Sequence, residues 1–244
     1  MIDSDAIPSE PTEAFPYTPP TVEVKTKYAH IFEITEPLPP RFFKLAFDKL
    51  VATLLLAFSF PILLLLKIAY VIEGILIPEN KGPMLFYYWG VSGGKKIKKW
   101  KLRLIKTKYI EPAGAARHDW IAFSAEWTPD SRTIVGAFAK KWYLDELPQF
   151  WNVLKGAMNL IGPRPERPVF CDELVKKISF FNTRHLVKPG ITGWAQVRHK
   201  YGNTDEDALI KLQYDLYYIK YRSFMLDLSI IWQTISVMLK FKGN

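Results

Sequence analysis

From Phe42 to Ile77 most positions are apolar, and the run VATLLLAFSFPILLLL between Val51 and Leu66 carries no charge. Lys49 and Lys67 bound it at a length slightly below the about twenty residues that a spanning helix needs. Pro61 stands in its middle, without a backbone donor and in conflict with the preceding turn, which predicts a kink or break near Phe60. Arg41, Lys44, Lys49 and Lys67 put positive charge at both flanks, and this favours both ends on the cytoplasmic side of a membrane. A straight spanning helix is the alternative. A buried soluble helix fits less well, because so long a run lacks a polar face.

Farther along, Leu147, Phe150, Trp151 and Leu154 fall at i, i+3, i+4 and i+7, the spacing of one apolar helix face. This predicts a helix of about three turns that begins near Leu144 and ends at Lys155-Gly156, with Asp145 and Glu146 in its first turn. Before it, Gly82-Pro83 and LFYYW predict a turn and a strand, and Gly93-Gly94 a hairpin. The basic stretch KKIKKWKLR that follows reads equally as a solvated or membrane-facing strand and as a phosphate-binding one. Helices are expected over about 169–181 and 205–222, with Pro189, Gly190 and Gly193 marking turns between them. Phe224 to Leu239 is apolar, with Asp227, Ser229, Gln233 and Ser236 to one side, and predicts an amphipathic helix lying in an interface or against the first helix.

Composition changes the picture in three ways. Residues 1–40 hold eight of the 18 prolines and seven acidic residues against Lys25 and Lys27, which predicts a largely disordered arm whose Tyr28–Thr35 run alone resembles an edge strand. That arm carries −5, so the remaining 204 residues carry +14 where the whole chain carries +9. An anionic partner is expected there: a membrane surface, a phosphorylated substrate or nucleic acid. Cys171 is the single cysteine, which excludes an internal disulfide and a cysteine-rich zinc site and suits a reducing compartment. No basic segment followed by an apolar core opens the chain, so a cleavable signal peptide is not expected. His118 reads as a surface histidine.

The candidate chemistry sits in the predicted helix and just behind it. Acidic residues in a first helical turn ordinarily only complement the helix dipole. Here they are followed by Gly162-Pro163-Arg164-Pro165, where two prolines stiffen the backbone around one guanidinium. A carboxylate nucleophile, a carboxylate for a divalent metal and a fork-shaped cation for phosphate oxygens are the parts of a phosphoryl-transfer site. The segment LDELPQFWNVLKGAMNLIGPRP resembles the catalytic segment of the bacterial sugar transferases, the monotopic polyprenyl-phosphate phosphoglycosyl transferases, and the resemblance extends over about 41–242.

The resemblance implies an α+β, membrane-associated monotopic enzyme. A disordered tail (1–40) would precede a re-entrant membrane helix (41–77) and a small cytoplasmic α/β catalytic region with interfacial helices (78–244). It would sit on the bacterial inner membrane facing the cytoplasm, among membrane lipids. The enzyme would move a sugar phosphate from a nucleotide sugar, usually a uridine one, to polyprenyl phosphate. Asp145 would be the nucleophile and Glu146 the Mg²⁺ ligand. Arg164, with Lys101, Arg103, Lys188 and Arg184, would bind phosphate, and Asp215 matches a carboxylate beside the site. Lys44, Asp48 and Pro61 match the re-entrant helix, with Ser59 one position from the hydroxyl expected before the proline. Leu45, Phe60, Trp89 or Gly90, and Arg198-His199 depart from the pattern. The departure near Trp89 keeps open a scaffold that has lost donor binding, and the charge keeps open a nucleic-acid binder, although no motif of the latter is present. A homodimer is compatible with the resemblance.

Overall fold

The structure is a computed structural model that describes residue 38 and residues 41–109, 129–178, 180–199 and 205–241. The acidic arm other than Leu38, its Tyr28–Thr35 run and His118 lie outside the described residues. The long apolar run forms helix α1 (Phe42–Leu76), 35 residues with Pro61 inside it, so the break expected at Phe60 does not occur. Ser59 is buried two residues before the proline and donates its hydroxyl to the Leu56 carbonyl at 3.2 Å. Within apolar surroundings the remaining helical hydrogen bonds have no water to replace them, which favours an unbroken helix around one missing donor.

One stripe of α1 is buried: Lys44, Asp48, Ala52, Ser59, Leu66, Tyr70 and Glu73, spaced by three, four or seven residues. The other faces expose large apolar side chains, among them Leu54, Phe58, Phe60 and Leu65. Among the described residues it is the one helix long and apolar enough to cross a membrane. Both of its ends are fastened to the rest of the chain. Near the first end, the Asp48 carboxylate accepts from Lys44 Nζ (2.7 Å) and from the Leu160 amide (3.1 Å). Near the second, Glu73 accepts from the Ile134 and Val135 amides (2.6 and 3.1 Å) and from Asn80 Nδ2 (2.6 Å). Tyr70 donates its hydroxyl to the Arg103 carbonyl.

Strands β1 (Leu85–Ser92) and β2 (Lys95–Leu102) form the expected hairpin. Gly93 and Gly94 have φ of +53° and +73°, as a two-residue turn with both central residues left-handed requires. Side chains alternate along β2, and one face of it is basic and buried, Lys99 and Lys101, continued by Arg103 just beyond the strand, while Leu102 is buried on the other. These three turn inward, whereas Lys96 and Lys98 are exposed, as a solvated strand would have them.

A short helix not expected from the sequence, α2 (Ile134–Lys141), follows. Thr133 caps it, its hydroxyl accepting from the Gly136 amide at 2.9 Å, while Glu73 satisfies two further first-turn amides. The single three-turn helix expected from Leu144 is instead a 3-10 turn, Leu144–Glu146, followed by a six-residue helix α3 (Gln149–Leu154). Pro148 has no donor to offer, and Leu147, Phe150 and Trp151 bond to the carbonyls three residues back. Gly156 takes the left-handed conformation expected of it, φ +71°.

Strand β3 (Asn159–Ile161) pairs in parallel with β4 (Gly190–Thr192). Helices α4 (Pro168–Lys177), α5 (Trp194–Arg198), α6 (Asp205–Tyr221) and α7 (Phe224–Phe241) complete the mixed α+β architecture. α4 ends earlier than expected, the chain passing into a 3-10 turn at Phe181–Leu186. The main core gathers Leu209, Leu212, Leu216 and Ile219 of α6 with Val153, Met158, Ile161 and Ile230. On α7 the polar positions do not share one solvated side. Asp227 is buried, paired with Arg41 (2.8 Å) and accepting from the Tyr218 hydroxyl (2.8 Å), whereas Ser229 is exposed and Gln233 half-buried.

Replacing Glu73 with Ala removes a charged acceptor from three donors. It should lower stability by about 2 kcal/mol, read as a depressed thermal midpoint in detergent. An unchanged midpoint would mean that α1 is not fastened through this carboxylate.

Candidate active site

The two halves of the site come from segments that α1 holds. α2 leads through Lys141 and Trp142 into Tyr143, the one described non-glycine residue with a left-handed backbone, φ 55°. Such a conformation costs about 1–3 kcal/mol and persists where surrounding structure imposes it. It turns the chain so that Asp145, 1% exposed, points inward from the 3-10 turn.

The second half is the Gly162–Pro165 loop. A Cβ on Gly162 would lie 2.6 Å from the Lys188 carbonyl oxygen, so only glycine permits the close approach of this loop to β4. The Gly162 amide donates to Thr192 O (3.0 Å) and the Gly190 amide to Pro163 O (2.9 Å). On the other side the Val91 amide donates to the Glu166 carbonyl at 3.0 Å. Arg164 is thus presented from a loop pinned on both flanks.

Four of the expected residues converge. Lys101 Nζ lies 3.2 Å from Asp145 Oδ2 and 3.1 Å from Glu146 Oε1, and Arg164 donates to the same Glu146 oxygen at 2.8 Å. Burial alone would raise the Glu146 carboxyl, but the Arg164 and Lys101 charges outweigh it and hold the group well below the usual carboxylate range. Burial would likewise push Lys101 down, yet Glu146 and Asp145 keep its ammonium well above the ordinary lysine value. The second oxygen of Asp145, Oδ1, is buried with no hydrogen-bond partner.

Two more stand behind Arg164. Arg184 donates to Asp215 Oδ2 through Nε (3.1 Å) and Nη2 (2.6 Å), and Nη2 also donates to the Arg164 carbonyl (2.9 Å). The pair is buried and acts on the backbone that presents Arg164. Burial lifts the Asp215 carboxyl to about 6 against the opposing pull of Arg184.

The structure does not bring the remaining expected residues into this cluster. Arg103 is 1% exposed and spends its donors on the carbonyls of Pro83, Ile105 and Asn80, each at 2.8 Å. Lys188 is exposed beside Gly156, in a cleft shared with Lys49 and Asp48 near the first end of α1. Ser59 and Pro61 belong to the middle of α1.

Other side chains at this site were not singled out from the sequence. Lys99 is fully buried and its Nζ has no hydrogen-bond partner. Gln149 is fully buried with both amide atoms unpartnered. Their signals were present as spacing: Lys99 lies two strand positions from Lys101, and Gln149 four residues after Asp145. Among the described residues, no three His, Cys, Asp or Glu side chains converge as a full metal cage. The Glu146 carboxylate, 20% exposed beside the buried Asp145, fits a magnesium ion that completes its shell with substrate phosphates and water.

Comparison with known proteins follows the same line. The bacterial sugar transferase family matches residues 39–241. The chain is similar to the UDP-N-acetylgalactosamine-undecaprenyl-phosphate N-acetylgalactosaminephosphotransferase of Aeromonas hydrophila, 37% identical over 225 residues, 90% of this chain and 49% of that protein. It is similar to the UDP-glucose:undecaprenyl-phosphate glucose-1-phosphate transferase of Escherichia coli (strain K12), 35% identical over 207 residues, 83% of this chain and 40% of that protein. A protein of the same name from Caulobacter vibrioides is 34% identical over 201 residues, 80% of this chain and 69% of its own. The chain spans half or less of the length of the first two. With a match that runs over nearly all of its described residues, this chain belongs to the bacterial sugar transferase family.

Proposed function

We propose that the protein transfers a sugar phosphate from a UDP-sugar to polyprenyl phosphate through a covalent intermediate on Asp145, at the cytoplasmic face of a bacterial inner membrane. The observation that carries this reading is the unequal treatment of the Asp145 oxygens: Oδ2 is held by Lys101, while Oδ1 is buried and unpartnered. A carboxylate fixed at one oxygen and open at the other is oriented for attack. The names of the similar proteins, which specify UDP-sugars and undecaprenyl phosphate, support the substrate classes.

In the first step an Asp145 oxygen bonds to the phosphorus beside the sugar, the bond from that phosphorus to the bridging oxygen breaks, and UMP departs with the electron pair. Arg164 and Lys101 neutralise charge on the phosphate oxygens as it redistributes. Arg184 and Asp215 keep the Arg164 backbone in place. In the second step an oxygen of the lipid phosphate bonds to the same phosphorus and the Asp145 carboxylate is released, giving a polyprenyl diphosphate sugar. Glu146 would hold Mg²⁺, which when bound supplies further charge neutralisation at the phosphates.

The membrane arrangement is part of the proposal. A helix fastened near both ends to one catalytic unit cannot leave its ends on opposite sides of a bilayer, and this supports a re-entrant, monotopic attachment. Its exposed apolar faces, with α7, would then seat Asp145 at the depth where a lipid phosphate and a soluble nucleotide meet.

Purified protein given UDP-sugars and polyprenyl phosphate should release UMP, and Asp145→Asn should reduce that release to background with unchanged membrane association. Retained turnover in this variant would remove Asp145 as nucleophile. Glu146→Gln should weaken the apparent Mg²⁺ affinity by roughly tenfold or more, and EDTA should silence the parent enzyme. Full activity in excess EDTA would remove the metal.

A further inference from the structure

We infer that Lys99 is a further substrate-binding residue of this site, contacting phosphate oxygens of the donor's diphosphate alongside Lys101 and Arg164. The inference rests on the proposed use of a nucleotide diphosphate sugar. Lys99 is 0% exposed, and its ammonium makes no hydrogen bond to the protein. A buried lysine without a carboxylate is costly, and a fold retains one where a ligand supplies the missing charge. Its neighbours sharpen the point. Tyr88, opposite it in the hairpin register, offers only a ring face 5.4 Å from Nζ, and the same ring lies 5.0 Å from the Arg167 guanidinium.

The charge balance points the same way. Lys101, Arg164 and Lys140 stand against Asp145, Glu146 and Glu166 in this cluster, three charges against three, so a charge on Lys99 itself is the one in excess. Burial first, then the Arg164 charge, pushes the Lys99 amine well below the ordinary lysine value, as expected of a cation waiting for an anion. A diphosphate reverses the imbalance. Alternation along β2 puts Lys99 on the face that carries Lys101, so the strand presents two cations about 7 Å apart along its axis, a span that two phosphoryl groups can bridge.

The test is binding of UDP and of uridine to the full chain in detergent, by calorimetry, for the parent, Lys99→Met, Lys99→Gln and Lys98→Met. Lys98 is the exposed neighbour whose ammonium lies over the Tyr87 ring, and its substitution makes the same charge change on the other face. Both Lys99 variants should lose about tenfold or more in UDP affinity. Uridine binding and the Lys98→Met variant should be unaffected, and the Lys99→Met melting temperature should hold or rise. Parent-like UDP affinity in the Lys99 variants overturns the inference, as does a melting loss in both that accounts for the weaker binding. A selective loss of affinity for polyprenyl phosphate would overturn it as well. A parent protein that binds no UDP would refute the donor reading itself, a result distinct from all of these.

Discussion

Two carboxylates on one apolar helix set the position of everything else. Asp48 holds the Leu160 amide in β3, two residues before the loop that presents Arg164. Glu73 holds the first amides of α2, whose far end leads to Asp145. The helix therefore indexes both halves of the site to itself. Polar groups in so apolar an element are expensive unless satisfied, and here Asp48 is satisfied by a lysine and a backbone amide, Glu73 by two backbone amides and an asparagine. The Asp48 network reaches on through Lys44, Asp227, Arg41 and Tyr218, so α6 and α7 are registered against the same end.

At the site itself the governing fact is a lysine between two carboxylates. Lys101 repays its own desolvation only because Asp145 and Glu146 both reach it, and Glu146 is in turn kept ionised by Arg164 and by that lysine. The cluster is consequently sensitive to the loss of any member, since one deletion leaves an uncompensated buried charge. The unpartnered Lys99 amine and Asp145 oxygen are the parts that protein groups do not complete, and they coincide with where the proposed phosphorylated substrate would sit.

Much of this was legible in the sequence because it was local. The apolar run, the adjacent Asp145 and Glu146, and the proline-stiffened Arg164 announced themselves by spacing. What was illegible depended on tertiary packing. Lysines on a strand ordinarily read as solvated, yet β2 turns Lys99, Lys101 and Arg103 inward, and nothing in their identity separates Arg103, which braces three carbonyls, from Lys101, which meets Asp145. Pro61 predicted a kink or a break, and the helix runs on through it, while Pro148 and the left-handed Tyr143 shorten a helix whose apolar spacing looked continuous. The short α2 was missed because part of its capping comes from Glu73, about sixty residues away.

The central claim is that α1 returns both of its ends to one catalytic unit, so that both flanks share one side of the membrane. It is tested most directly by cysteine labelling in a Cys171→Ser background, with single cysteines at Ser4 before the helix and at Lys95 on the hairpin tip. In sealed spheroplasts, an impermeant maleimide should reach neither position, and after lysis it should reach both. Labelling of Ser4 in sealed spheroplasts with Lys95 protected would place the two flanks on opposite faces and contradict the account.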